Sequence, residues 1–105
     1  MLLFNIEYYK KLSGKYKFAE KNVKGKEYIL NTNELIFEGE YLNEQKNGKG
    51  KEYYYGIVKF EGEYLNGHRN RKGKEYYDNG NLNFEGDYLT GYKWNGKGYD
   101  MKGNI

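Results

Sequence analysis

The sequence predicts an all-β fold built from tandem antiparallel hairpins. The first observation behind this prediction is an internal repeat: FEGEYLN occurs at 37–43 and 60–66, and FEGDYLT follows at 84–90. A second segment, KGKEY, also occurs three times, first at 24–28. The second observation is an alternation of residue types within each copy, which is typical of strands. Repeats of this length are supersecondary units that bury a core only by stacking on one another.

The alternation assigns the residues of each copy to two faces. Phe37, Gly39 and Tyr41 fall on one face of the predicted strand. The glutamates between them, Glu38 and Glu40, fall on the other. A helix would lose about 1 kcal/mol for each glycine relative to alanine, and the chain has fifteen glycines. We therefore predict a meander of about nine short antiparallel strands.

Turn residues separate the predicted strands. One set of connections is rich in Asn or Gly: Asn43–Asn47, Asn66–Asn70 and Thr90–Asn95. The alternate connections contain Tyr55-Gly56, Asn79-Gly80 and Lys102-Gly103. These turns divide the single domain, 1–105, into a degenerate copy at about 12–35 and clear copies at about 36–58, 59–82 and 83–105.

We predict that glycines face one another across the hairpins. The predicted pairs are Gly39 with Gly50, Gly62 with Gly73, and Gly86 with Gly98. Glu38 then faces Lys51, and Asp87 faces Lys97, so opposite charges meet on one face. The other face carries glycines flanked by Phe and Tyr, whose rings can cover the bare backbone. Glu52 also falls on this aromatic face, as does Glu75, unless each lies at its edge or a bulge resets the alternation.

Composition argues against catalysis. The chain has no Cys, which excludes a disulfide framework, a thiolate nucleophile and a Cys-ligated zinc site. His68 is the only histidine, and no residue of its copy is placed to form a catalytic triad with it. Paired carboxylates recur in every clear copy opposite lysines, as on a charged outer face. We therefore expect no enzyme activity, no catalytic residue, no cofactor and no metal site.

This combination of aromatic and glycine positions resembles the MORN repeat. Its consensus runs Tyr-x-Gly-x-aromatic, then a short loop with Gly, then Gly-x-Gly. Residues 37–55, 60–78 and 84–99 match it well, and 12–28 match it in part. The resemblance implies an elongated, twisted, single-layer antiparallel sheet of about four stacked hairpin repeats. It also implies a scaffolding, dimerising or membrane-proximal role.

The aromatic face is the leading candidate for a protein-binding surface. The residues expected there are Phe37, Tyr41, Tyr54, Phe60, Tyr64, Tyr77, Phe84 and Tyr88, with Trp94 near one end. Protein interfaces are enriched in such rings. The leading hypothesis is a non-catalytic protein–protein interaction or scaffolding module that binds through this face or through an exposed edge strand.

Two other functions remain open at this point. The first is a peripheral membrane adaptor that binds anionic lipid through the lysines of the first copy: Lys10, Lys11, Lys15, Lys17, Lys21, Lys24 and Lys26. The second is a small stand-alone protein inhibitor. The net charge of +3 is too small to favour nucleic acid as a partner. Because a chain without Cys is compatible with a reducing interior, we expect a cytoplasmic location, with membrane association as the alternative.

The C-terminal copy predicts association. Lys102-Gly103-Asn104-Ile105 resembles Asn79-Gly80-Asn81-Leu82, and we expect the last strand near Gly96–Asp100. Such a strand would carry unpaired N–H and C=O groups along one edge, which favour pairing with another chain. We therefore expect a homo-oligomer formed edge to edge, or a protein partner that adds a strand.

Overall fold

The structure, a computed structural model, describes residues 4–6 and 23–105. Its strands form one antiparallel sheet whose order follows the chain. The strands are β1 (Phe4–Ile6), β2 (Val23–Ile29), β3 (Leu35–Leu42), β4 (Gln45–Tyr54), β5 (Ile57–Leu65), β6 (His68–Tyr76), β7 (Leu82–Leu89) and β8 (Tyr92–Gly98). The seven strands from β2 onward form a continuous meander of hairpins, and the three-residue β1 pairs with β2.

This architecture confirms the predicted all-β fold of sequential hairpins in a single open layer. The molecule is somewhat elongated, with principal extents of 50 × 30 × 20 Å. The remainder of the predicted nine-strand meander falls on residues 7–22, outside the described residues. Over 4–6 and 23–105, no helix is long and apolar enough to cross a membrane.

Tight two-residue turns join β3 to β4, β5 to β6 and β7 to β8. Both central residues have positive φ: Asn43 and Glu44 (51° and 67°), Asn66 and Gly67 (51° and 86°), and Thr90 and Gly91 (48° and 90°). Turns of this kind match the twist of the strands that they join. The turns are therefore shorter than predicted, and the remaining residues of those segments belong to β4, β6 and β8.

A row of glycines crosses the sheet from β2 to β8. Each member faces a glycine of the neighbouring strand: Gly25, Gly39, Gly50, Gly62, Gly73, Gly86 and Gly96. The predicted pairs Gly39–Gly50 and Gly62–Gly73 are confirmed. The row also continues between hairpins, for example from Gly50 to Gly62, so it fixes the register of the whole meander.

The predicted pairing of the last copy is wrong. Gly86 faces Gly96 and not Gly98. The physical reason is the ring of Phe84, because a Cβ atom added to Gly96 would lie 2.7 Å from Phe84 Cζ. At Gly98 the nearest atom to such a Cβ is 3.9 Å away, so that position does not require glycine. The need for a glycine under the ring therefore selects Gly96.

This register changes two further predictions for β8. Lys97 faces Glu85, and Asp87 faces Asn95. The strand begins at Tyr92, earlier than the predicted stretch of 96–100, and ends at Gly98. The bulge next to Tyr88 has one extra residue on β8, and the paired glycines are therefore ten residues apart (86 to 96) where those of β3 and β4 are eleven apart (39 to 50).

The core is a chain of rings on one face of the sheet. Its buried members are Phe37, Tyr41, Phe60, Tyr64, Phe84 and Tyr88. Phe37 meets Tyr41 and Tyr64 edge to face, with ring centroids 5.6 and 5.3 Å apart. Phe60 lies in the same way between Tyr64 and Tyr88, at 5.6 and 5.2 Å. Each such pair contributes about 0.5–1.5 kcal/mol beyond the area that it buries.

Candidate functional site

The aromatic candidates divide into a closed core and a few exposed rings. Six of the nine form the buried core. Of the other three, Tyr54 is 57% exposed and Trp94 is 71% exposed, whereas Tyr77 is half-buried. The aromatic face therefore does not present a continuous open groove of rings, and binding of a partner by these residues stays a prediction.

A cation covers each phenylalanine of the core. The pairs are Lys46 over Phe37 at 4.3 Å, Arg69 over Phe60 at 4.1 Å, and Lys93 over Phe84 at 4.8 Å from the ring centroid. Each cation follows its phenylalanine by nine residues (37 to 46, 60 to 69, 84 to 93). Sequence reasoning missed these residues, although their constant spacing was a signal that could have identified them.

Three glutamates, together with these cations, cover the rings of the core. The residues Glu27, Glu52 and Glu75 accept hydrogen bonds from the hydroxyls of Tyr41, Tyr64 and Tyr88 respectively. Glu52 faces Phe37 and Glu75 faces Phe60, so both lie within the aromatic face and not at its edge. Tyrosine hydroxyls and cations therefore supply the partners that carboxylates need in such a place.

The network around Arg69 is the most fully paired of these covers. Its Nη2 and Nε donate to Glu52 at 2.9 and 3.0 Å, and its Nη1 lies 3.3 Å from Glu75. Burial opposes ionisation of Glu52, but hydrogen bonds from Arg69 and Tyr64 and the charge of Arg69 outweigh it and lower the pKa of the carboxyl. Burial and the Glu52 carboxylate raise the pKa of Tyr64. At neutral pH the network is therefore a closed ion pair with a neutral phenol.

The opposite face is a groove between two rails of charged side chains. The rails flank the glycine row, and one contains Lys24, Glu40, Lys49, Glu63 and Lys72, the other Lys26, Glu38, Lys51, Glu61, Lys74 and Glu85. The groove encloses 1050 Å³. The predicted pairing of Glu38 with Lys51 is confirmed, and Lys72 lies 3.3 Å from Asp87. Since the signs alternate along each rail, the groove has little net charge with which to attract an anion.

The lysines predicted to bind lipid are only partly described. Lys24 and Lys26 are exposed on the charged face, where they oppose Glu40 and Glu38. The others lie outside the described residues: Lys10, Lys11, Lys15, Lys17 and Lys21. Lipid binding through this copy stays a prediction.

Strand β8 forms the open edge of the sheet. It is the last strand in the order, and all seven of its residues are exposed. Tyr92 is 78% exposed and Trp94 is 71% exposed. Among the described residues no strand lies beyond β8, so this edge combines backbone that pairs on one side with large exposed rings, the two features that strand-adding partners use.

One hydrogen bond shows which backbone groups point away from the sheet. The N–H of Tyr99 donates to the carbonyl of Asn83 at 2.7 Å, so Tyr99 directs its N–H toward β7. Hydrogen-bonded and non-hydrogen-bonded pairs alternate along an antiparallel ladder. Lys97 therefore bonds to β7, whereas Gly96 and Gly98 direct their N–H and C=O groups toward the open edge.

The core is also least complete at this edge. Phe84 is 8% exposed, compared with 1% for Phe37 and 0% for Phe60. Within the described part of the chain its one ring partner is Tyr88, at 5.6 Å, whereas the other two phenylalanines each lie between two tyrosines. Gly98 faces Phe84 where the other copies have a glutamate.

Comparisons with known proteins add no relative. No family model, no curated protein and no solved structure matches this chain. Within residues 4–6 and 23–105, no group of three or more His, Cys, Asp or Glu side chains is arranged to hold a metal ion.

Proposed function

We propose that this chain is a non-catalytic protein-interaction module of MORN-like repeats, which binds a partner strand along β8. The MORN assignment is supported by the tandem aromatic-x-Gly-x-Tyr copies together with the single open sheet of sequential hairpins. A scaffolding role in the cytoplasm is consistent with this proposal.

The observation that carries the proposal is the contrast between the closed aromatic face and the open edge. The core rings lie under ion-paired covers, so that a partner would have to break Arg69–Glu52 contacts of 2.9 Å to reach them. Along β8, by contrast, Gly96 and Gly98 direct free backbone groups outward and Trp94 is exposed. Backbone hydrogen bonds to such an edge supply affinity, and the side chains beside it supply specificity.

The edge favours a strand of defined chemistry. Gly96 continues the glycine row, so a glycine opposite it in the incoming strand extends the glycine-to-glycine pairing of the sheet. Lys97 favours an acidic residue in the facing position. Phe84 lacks a second edge-to-face ring, so an aromatic residue near the glycine completes its cover. An acidic strand with an aromatic-x-Gly-x-Tyr pattern meets all three requirements.

Fluorescence of Trp94 tests the proposal directly, because this residue is the only tryptophan and lies on β8. A synthetic peptide with the sequence of residues 59–66, KFEGEYLN, is added to the dilute chain. We expect a blue shift of the emission, since the docked strand removes the indole from water. The matched control peptide carries valine at the position of Gly62, where even a Cβ atom would lie 2.8 Å from Phe60 Cζ of the same segment, and should produce no shift.

Variants of Gly98 identify the edge as the binding site. Gly98→Pro removes an N–H that points outward, whereas Gly98→Ala keeps it and adds only a Cβ atom in open space. Gly98 does not have a positive φ, so the backbone conformation at this position strains neither proline nor alanine. Binding should be lost in the proline variant and kept in the alanine variant. An emission shift that is absent in the original chain, or unchanged in Gly98→Pro, contradicts the proposal.

A further inference from the structure

We infer that the groove of the charged face binds an acidic peptide in the polyproline II conformation, with one acidic residue at every third position. This surface crosses strands β2 to β7 and is separate from β8, so the inference does not rest on the proposed function. Its basis is the accessibility of the lysines along the groove, their spacing, and the width between the two rails.

The lysines of the groove are the charged groups that reach the solvent. Strands β2, β4 and β6 each carry a lysine on both sides of the row glycine, and all six are exposed: Lys24, Lys26, Lys49, Lys51, Lys72 and Lys74. Even Lys72, which lies 3.3 Å from Asp87, has 73% of its side chain exposed. The groove therefore presents three lysine bands, each a pair of ammonium groups on one strand.

The glutamates between these bands are less accessible and already have partners. All four are half-buried: Glu38, Glu40, Glu61 and Glu63. Glu38 accepts a hydrogen bond from the hydroxyl of Tyr53 at 2.8 Å, and Glu61 repeats this contact in the next copy. Glu40 accepts one from the backbone N–H of Lys49 at 2.7 Å. Although the formal charges of the rails nearly cancel, the positive charges are thus the ones that a ligand meets first.

The width of the groove selects an extended ligand. The two lysines of a band are two residues apart on one strand, so the rails are about 6.8 Å apart at their Cα atoms. An α-helix with its side chains is about 10–12 Å across and is too wide to lie between them. The floor is the backbone of the glycine row from Gly25 to Gly86, which carries no side chain that would obstruct a narrow chain.

The spacing of the bands selects the conformation of that ligand. The bands lie on every second strand, so they repeat at about 9.6 Å along the groove. Three residues of a polyproline II chain advance about 9.3 Å and return to the same face. One acidic residue in three therefore meets every lysine band, and no acidic side chain lies over the glutamates between the bands. A β-strand, whose faces repeat at about 6.8 Å, places its acidic residues out of step with the bands.

Recognition depends on this spacing and not on net charge. The rails hold six lysines and five glutamates, so the long-range attraction of an anion is small. Exposed ion pairs are individually weak, and affinity comes from contact with three bands at once. We expect a dissociation constant roughly between 10 µM and 1 mM.

Two peptides of the same composition test the inference. One consists of three Glu-Pro-Pro units, and the other has three successive glutamates followed by six prolines. Both are acetylated and amidated, so their ends carry no charge. Fluorescence anisotropy of the labelled peptides, titrated with the 105-residue chain, measures binding. We expect the spaced peptide to bind roughly fivefold or more tightly than the clustered one. Equal affinities, or no binding of the spaced peptide, overturn the inference.

Lysine variants locate the binding site. The double variant Lys49→Gln, Lys51→Gln removes the middle band and should weaken binding of the spaced peptide roughly three- to tenfold. The control, Lys59→Gln, Lys102→Gln, removes the same charge from residues that do not line the groove and should bind as the original chain does. An equal loss of affinity in the two double variants reflects net charge alone and overturns the inference.

Anionic lipid is the alternative occupant of the same lysine bands, and vesicles distinguish it. The original chain and the Lys49→Gln, Lys51→Gln variant are sedimented with phosphatidylcholine vesicles that contain phosphatidylserine. We expect the two proteins to sediment equally, because the glutamates between the bands oppose a continuous anionic surface. Vesicle binding that is lost in this variant assigns the groove to lipid and overturns the inference.

Discussion

Gly62 illustrates at the scale of one residue why the strands carry glycine at their centre. A Cβ atom there would lie 2.6 Å from Gly73 Cα and 2.8 Å from Phe60 Cζ. Neither neighbour can move freely, because one is backbone and the other is a fully buried ring. The glycine therefore serves close packing of ring against backbone, as the sequence alternation predicted.

Alanine substitutions at two glycines test this packing. Gly62→Ala should lower the free energy of unfolding by about 1–3 kcal/mol, because the added methyl overpacks the core. Gly98→Ala places its methyl group in open space on another strand of the sheet, and it should raise the free energy of unfolding by less than about 1 kcal/mol. Urea denaturation of the two variants gives the comparison. Equal stability of the two would contradict the glycine row as a packing device.

Arg69 is the residue on which the cover of Phe60 depends. Arg69→Met should lower the free energy of unfolding by about 2 kcal/mol, since it leaves the partly buried Glu52 without its cation. Arg69→Lys should cost less, because Lys46 already fills the equivalent place over Phe37 at 4.3 Å. Chemical denaturation measures both. If the lysine variant is as unstable as the methionine variant, a positive charge over the Phe60 ring does not contribute to the free energy of unfolding.

We expect the protein to lose stability at high pH because of two tyrosines on the charged face. Burial, followed by a hydrogen bond to Glu38, raises the pKa of Tyr53 to about 12, and burial with Glu61 does the same for Tyr76. Their ordinary value is 10.0, so the unfolded chain releases these protons first. Their contribution is therefore complete below about pH 10 and is lost as the pH rises through about 12. Unfolding midpoints measured across this window should fall less steeply in a Tyr53→Phe, Tyr76→Phe double variant.

At the scale of the element, the bulges in β4 and β6 are the places where the strands adopt a left-handed backbone conformation. Gly48 in β4 and Arg71 in β6 occupy equivalent places, facing Tyr64 and Tyr88, and both have positive φ, 103° and 63°. Arginine at such a φ is strained, whereas glycine is not. The Arg71 side chain is 72% exposed, so it has little packing to offset that strain.

Replacing Arg71 should therefore stabilise the protein. Arg71→Gly should raise the free energy of unfolding by about 1 kcal/mol through relief of the left-handed backbone. Arg71→Ala provides the control, because it removes the same exposed ion pair with Glu63 but keeps a Cβ atom. Thermal unfolding of both variants distinguishes backbone strain from charge. A gain in the alanine variant equal to that in the glycine variant would contradict the account.

The same bulges explain what the sequence could and could not predict. Alternation and repeated glycines were sufficient for the strands and for the pairs Gly39–Gly50 and Gly62–Gly73. The last hairpin was misaligned because its paired glycines are ten residues apart (86 to 96) and not eleven as in the earlier copies (39 to 50), and because Gly98 competed with Gly96 for the same place. Only the position of the Phe84 ring in three dimensions distinguishes between them. Pattern reasoning also placed Glu52 on the aromatic face without identifying its partner, since that partner, Arg69, lies on a different strand.

At the scale of the whole molecule, the sheet has no second layer, and its own side chains cover its core. The rings of neighbouring copies pack edge to face, and each copy adds a cation and a carboxylate that shield them from water. Each repeat therefore depends on its neighbour, as in other repeat architectures. The consequence is polarity along the sheet: within residues 4–6 and 23–105, strands β2 to β7 each pair with a strand on both sides, whereas β8 pairs only with β7.

Amide hydrogen exchange followed by NMR tests the open edge most directly. In dilute solution, the amides of Gly96 and Gly98 should exchange rapidly, while that of Lys97, which bonds to β7, should be protected. Addition of the KFEGEYLN peptide should slow Gly96 and Gly98 and leave Lys97 unchanged. Protection of Gly96 and Gly98 in the dilute chain, or rapid exchange at both that the peptide does not slow, would contradict the account of β8 as the binding edge.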